Sequence, residues 1–177
     1  MAFLKKVTLT NGVPADAADD GDVLTLTAFA PRFVQLVPSI SVTTIAANDV
    51  LAASEIWTAV TPADDVGCYM TQLNVTLLDR TAGVGLIVVL LKANVGIAAE
   101  SAAFSIADAD VIHVLDKIAI GAAEFITNGV SCTASVRNLR IPIIPVTGSD
   151  DIYVGIVTVD GTTFGAVTDV VLTGFFE

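Results

Sequence analysis

His113 is the one histidine of this chain, and Cys68 and Cys132 are its two cysteines. A catalytic histidine needs a nucleophile at one ring nitrogen and an orienting acid at the other. No Gly-x-Ser-x-Gly elbow supplies the nucleophile, and no spacing in the sequence sets an acid beside His113. Near the C-terminal end of a predicted helix, a charged His113 would instead favour the helix dipole. The cysteines lie far apart and form no Cys-x-x-Cys pair. That favours two buried or half-buried thiols over a structural disulfide, whose geometry sequence cannot judge.

Carboxylates are the other chemical resource. Asp16, Asp19, Asp20 and Asp22 gather around Gly21, as a hard cation would require. Counted from Asp16, however, Ala18 sits where an oxygen ligand belongs and Thr27 replaces the closing glutamate, so the cluster reads as a solvated acidic loop. Asp64-Asp65 and Asp150-Asp151 read as turn acids. Two carboxylates alone suffice for glycoside hydrolysis. Sugar clefts, though, are lined with aromatic rings, and only 6% of residues here are aromatic, with Trp57 the sole tryptophan. The expectation is a protein that is not an enzyme and that holds no cofactor or catalytic metal.

What remains are residues suited to contacts. Arg137 and Arg140 bracket an apolar strand, Arg32 follows Pro31, and Lys5-Lys6 is the densest positive charge in the chain. On an acidic protein these cations are candidates for salt bridges to a neighbouring subunit or partner. Trp57, Tyr69, Phe175 and Phe176 are candidate interface anchors, with core packing the competing role.

The elements that must position these residues are strands. The 177 residues fit one domain with ample material for a core. The chain is 54% hydrophobic, with a mean hydropathy of +0.77. It carries 19 acidic against 8 basic residues, a net charge of −11, which disfavours nucleic acid as a partner. The longest apolar run, residues 82–91, is about half a membrane span. The basic N-terminus runs into polar Thr8, Thr10 and Asn11 where a secretory leader would be apolar. Neither a membrane nor an export signal is expected.

Period-two alternation marks half-buried strands at residues 6–10, 22–27, 40–44 and 69–78. The last sets Leu73, Val75 and Leu77 against Gln72, Asn74 and Thr76. Residues 85–91, 152–159 and 167–176 are apolar on both faces. An antiparallel sheet usually keeps one wet face, so these segments predict a second cover, which we assign to another subunit. Ser105-Ile106-Ala107-Asp108 resembles a capping box and predicts a two-turn helix to about Leu115. A strand over 117–126 follows and ends at the Asn128-Gly129 turn signal. Pro142 and Pro145 make 137–146 an edge strand or mark where it leaves the sheet. The fold class is all-β: an antiparallel β-sandwich of about eight strands, jelly-roll-like, with one short helix. Residues 1–21 read as an N-terminal arm or loosely attached strand, and residues 22–177 as the sandwich.

Residues 73–120 resemble a group of small β-rich proteins encoded by tailed bacteriophages near the major capsid gene. The similar features are Leu78-Asp79 before a Gly-rich turn, the apolar run 85–91, Ala93-Asn94, and Ala-Ala-Phe-Ser-Ile-Ala-Asp-Ala-Asp over 102–110. A later segment like 151–158 and a short apolar C-terminal strand recur in that group. The resemblance implies a virion component, a capsid decoration (cement) protein on the outside of the head. It further implies a homotrimer, with the major capsid protein as partner. Two alternatives stay open: a neck, tail or head-fibre component, or a glycan-binding module on the virion.

Overall fold

A computed structural model of the chain describes residues 8–10, 13–15, 31–62 and 67–177. The chain divides into two units, Met1–Ala30 and Pro31–Glu177. In the first, β1 (Thr8–Thr10) and β2 (Val13–Ala15) form an antiparallel hairpin with Thr8 opposite Ala15. The strand expected at 22–27, the acidic cluster Asp16–Asp22, Lys5, Lys6, Asp64 and Asp65 lie outside the described residues, as does the boundary expected at Gly21.

The second unit is a two-sheet sandwich. Its strands are β3 (Arg32–Leu36), β4 (Val50–Trp57), β5 (Cys68–Leu77), β6 (Leu86–Leu91), β7 (Val114–Ile120), β8 (Ile126–Asn128), β9 (Ser131–Ile143), β10 (Ile152–Thr158) and β11 (Val170–Phe176). One sheet runs β4-β10-β6-β7 and the other β3-β11-β5-β9-β8, with every pair antiparallel. With β8 counted as a short extension of β9, the eight strands in chain order fall into the sheets as 1-8-3-6 and 2-7-4-5. That nesting of two Greek keys is the jelly roll, so the expected fold class holds in its architecture as well as its strand content.

Local chemistry explains the elements. In β5, Leu73, Val75 and Leu77 are fully buried while Gln72, Asn74 and Thr76 are half-exposed, as the alternation predicts. β8 and β9 join through Gly129-Val130, with Asn128 paired to Ser131 and Gly129 at φ +76°, the Gly-first hairpin turn. β8 pairs with β9 only over Ser131–Thr133, so beyond that point β9 is a sheet edge. Pro142 lies on that edge opposite Tyr69, and the strand ends one residue later; the missing N–H costs no ladder bond there. The main core lies between the sheets, from Leu86, Val88 and Leu90 of β6 and Ile152, Val154 and Ile156 of β10 to Leu73 and Leu172 opposite.

Four local expectations change, one of them the strand expected over 117–126, which breaks after Ile120 between β7 and β8. Residues 40–44 form no strand: Ile40 is buried, Val42 is 43% exposed, and the segment is held by Ile40 N–H to Val167 O, Ser41 N–H to Leu51 O and a bridge at Ile45. The helix is a 3-10 turn over Asp108–His113, capped at Ala107 with no side-chain hydrogen bond. Ser105 cannot cap it. Its carbonyl accepts the Ala98 N–H and Ile106 bridges Ile97, so the backbone stays extended through Ala107. A second short 3-10 turn, Ala122–Glu124, joins β7 to β8. In β11 the outward residues Val171, Thr173 and Phe175 are half-exposed, so this strand has one wet face.

β6 and β10 are dry on both faces, as predicted, but the chain supplies the second cover itself. Ile87, Val89 and Leu91 of β6 and Tyr153 and Val157 of β10 face outward into a second cluster with Val95, Ile97, Phe104 and Ile106. The segment 93–106 lies across the sheet, tied to the start of β4 by Val50 N–H to Ala102 O and Ser101 N–H to Val50 O. Gly155 permits this: a Cβ there would stand 2.6 Å from Ile97 Cδ1. Lys117 Nζ closes over the Phe104 ring at 5.1 Å from its centroid. A neighbouring subunit is therefore not needed to keep these strands dry.

Candidate functional site

His113 ends the 3-10 turn as the sequence suggests. Its carbonyl accepts the Lys92 N–H at 2.8 Å, and its Nδ1 is buried with no hydrogen-bond partner. Among the described residues no side chain hydrogen-bonds the ring. Among the described residues no group of three metal-ligating side chains converges. Two of the acids hold the backbone of the fold. Asp169 is buried and accepts from the N–H groups of Gly165 and Ala166 at 2.9 and 2.8 Å. Asp151 accepts from the Ala59 N–H at 2.7 Å.

The cysteines are free and buried. Cys68 pairs with Ile143 at one end of the β5–β9 ladder, and Cys132 with Leu77 at the other. Nine residues of strand separate those rows, about 30 Å, far beyond disulfide reach. Burial raises both thiols, that of Cys68 to about 11, with Arg32 pulling against the shift; at Cys132 Arg80 opposes it. Thiolate is the reactive form. The native protein should therefore react slowly with a disulfide reagent at pH 8, faster as pH climbs toward 11, and release both thiols at once in denaturant. Rapid native labelling at pH 8 would contradict this burial.

The candidate contact residues separate sharply. Trp57 and Phe176 are at most 1% exposed and meet edge-to-face in the core, centroids 5.5 Å apart. They are core residues and cannot anchor a partner. Both are large rings on inward positions of strands that face each other across the sandwich, and Gly174 makes room for them: a Cβ there would lie 2.5 Å from Phe176 and 2.8 Å from Trp57. Arg32 turns inward to the carbonyls of Ala59 and Thr61. Arg80, not singled out from sequence, is held by Thr163 O at 2.7 Å and lies over the Phe164 ring at 4.9 Å.

Arg137 and Arg140 come together. Between the paired rows Gln72–Arg137 and Met70–Ile141, β5 advances two residues while β9 advances four. The extra residues form a bulge in which Leu139 stays packed against the main core while Asn138 is exposed, at φ +58°, a left-handed conformation that asparagine adopts more readily than most residues. The bulge opens a groove of about 540 Å³ lined by Thr71, Gln72, Arg137, Asn138, Leu139, Arg140 and Glu177. One sheet row leads into it across four strands: Phe33, Phe175, Gln72, Arg137. Phe33 is 69% exposed, and its ring stands edge-on to half-buried Phe175 at 4.6 Å. Tyr69, half-exposed, pairs with Pro142 below the bulge.

The sequence held a signal for this groove that a uniform strand reading passes over. Cys132, Ala134 and Val136 point inward on even numbers, whereas Ile141 and Ile143 do so on odd numbers. A change of phase inside one strand requires a bulge. β5 changes phase opposite it, from Leu73 to Met70.

The arrangement has no acid–base pair to move protons. It offers guanidinium donors, amide and hydroxyl groups and an aromatic pair on an open sheet face, which is equipment for binding. No protein-family model matches the chain, and no curated protein matches it.

Proposed function

We propose that this chain is a structural virion protein, a decoration protein that binds the outer surface of a tailed-phage head through the major capsid protein and stabilises the shell. The observation that carries this reading is the strand order of the body, because double-sheet jelly rolls recur in viral capsid domains. Lectin domains use the same architecture, and fold alone does not select a function. The resemblance of residues 73–120 to small β-rich proteins encoded by tailed phages near the major capsid gene tips the choice toward the shell. The aromatic content points the same way: only 6% of residues are aromatic and the single tryptophan is sealed in the core, which disfavours a glycan cleft.

In this role the protein does no chemistry. It adds interface to the assembled state, and whatever binds only that state stabilises it. Copy number is the direct test. A quantitative gel of purified particles should show hundreds of copies per head, in a fixed ratio to the major capsid protein. A dozen copies or fewer would assign the chain to the neck or tail and end the decoration reading.

A further inference from the structure

The groove at the β9 bulge holds charges that no described residue pairs. Arg137, Arg140 and Glu177 all line it, and all three are exposed. No side-chain hydrogen bond or ion pair engages any of them among the described residues, whereas Arg32 and Arg80 are each tied to backbone carbonyls. On a chain with 19 acids and 8 bases, two guanidiniums and a carboxylate in one groove, none of them engaged by a described residue, are out of keeping with the rest of the surface. Arg137 also ends the row that starts with exposed Phe33 and half-buried Phe175. Arginine and aromatic rings on one open face are the composition of an interface centre.

From this we infer that the outer face of the β3-β11-β5-β9-β8 sheet joins copies of this chain, with Arg137 and Arg140 of one copy taking the Glu177 carboxylate of another. The patch carries both signs and so complements itself around a nearby symmetry axis. Arginine suits the task because its planar fork meets a carboxylate through paired hydrogen bonds. The net charge of −11 on each copy opposes association, but that repulsion is screened beyond about 8 Å at physiological salt. The groove is where an acidic neighbour meets cations at close range. The inference stands on the groove alone and does not require the virion reading.

Sedimentation of the full chain at micromolar concentration tests it. The wild-type protein should sediment as an oligomer of the 18.2 kDa chain. Arg137→Glu with Arg140→Glu should weaken association at least about tenfold, and Glu177→Arg alone should act in the same direction. The three changes combined should restore association, because the charges are exchanged and not merely lost. Circular dichroism should stay constant throughout, since all three side chains are exposed. The milder pair Arg137→Gln and Arg140→Gln, and added salt on the wild type, give the same readout without charge reversal. A wild-type monomer, an oligomer indifferent to these substitutions, or a combined variant no better than its parents would each overturn the inference.

Discussion

Replacing Trp57 with alanine should cost about 3–5 kcal/mol of folding stability, the range for removing a large aromatic from a packed core. Trp57 sits at the end of β4 with no exposed surface, its ring edge-on to Phe176 and hard against the space left by Gly174. Alanine would open a cavity between the two sheets, where several walls belong to strands that cannot follow it inward. Domains of this kind are stable by about 5–15 kcal/mol, so the variant should be severely weakened or unfolded at physiological temperature. Trp57→Phe should cost far less. It keeps most of the ring and deletes an indole N–H that is buried without a partner, a group whose burial is itself unfavourable. Urea unfolding followed by circular dichroism decides the matter. An alanine variant with an unchanged midpoint would show that Trp57 is not the inter-sheet anchor described here.

Heads stripped of this protein should release their DNA at lower temperature or milder osmotic shock than decorated ones, and adding the purified protein back should restore resistance. The physical basis is multiplication. A standard protein interface buries about 1,200–2,000 Å², and a modest gain at each site, repeated over a shell, becomes a large collective term favouring the intact particle. His113→Gln should rescue as well as the wild type, because among the described residues no side chain hydrogen-bonds the ring. Thermal release measured by dye uptake gives the comparison. Equal robustness of stripped and decorated heads, or label confined to one vertex, would reject the decoration role.

The all-β class, the wet and dry faces of β5, a turn at Gly129 and the edge position of Pro142 are legible in the residues alone. Each rests on local physics: side chains alternate across a strand, glycine tolerates positive φ, and proline has no N–H to donate. Burial of both thiols was legible too, since free cysteine is among the most buried residue types. Only the tertiary structure decided the rest. An apolar segment announces that it needs cover without naming what covers it, so the outer face of β6 and β10 read as a subunit boundary until segment 93–106 was seen lying across it. The same segment holds Ser105 extended and replaces the expected helix with a 3-10 turn. Trp57 and Phe176 were equally plausible as core or interface residues, because aromatic rings serve both; the packing of two strands from opposite sheets put them inside. Arg137 and Arg140 looked like the two ends of an ordinary strand. A shift in register, set by pairing with β5 across long sequence separation, puts a bulge between them, with Leu139 on the core and Asn138 exposed, and makes one groove of the two charges.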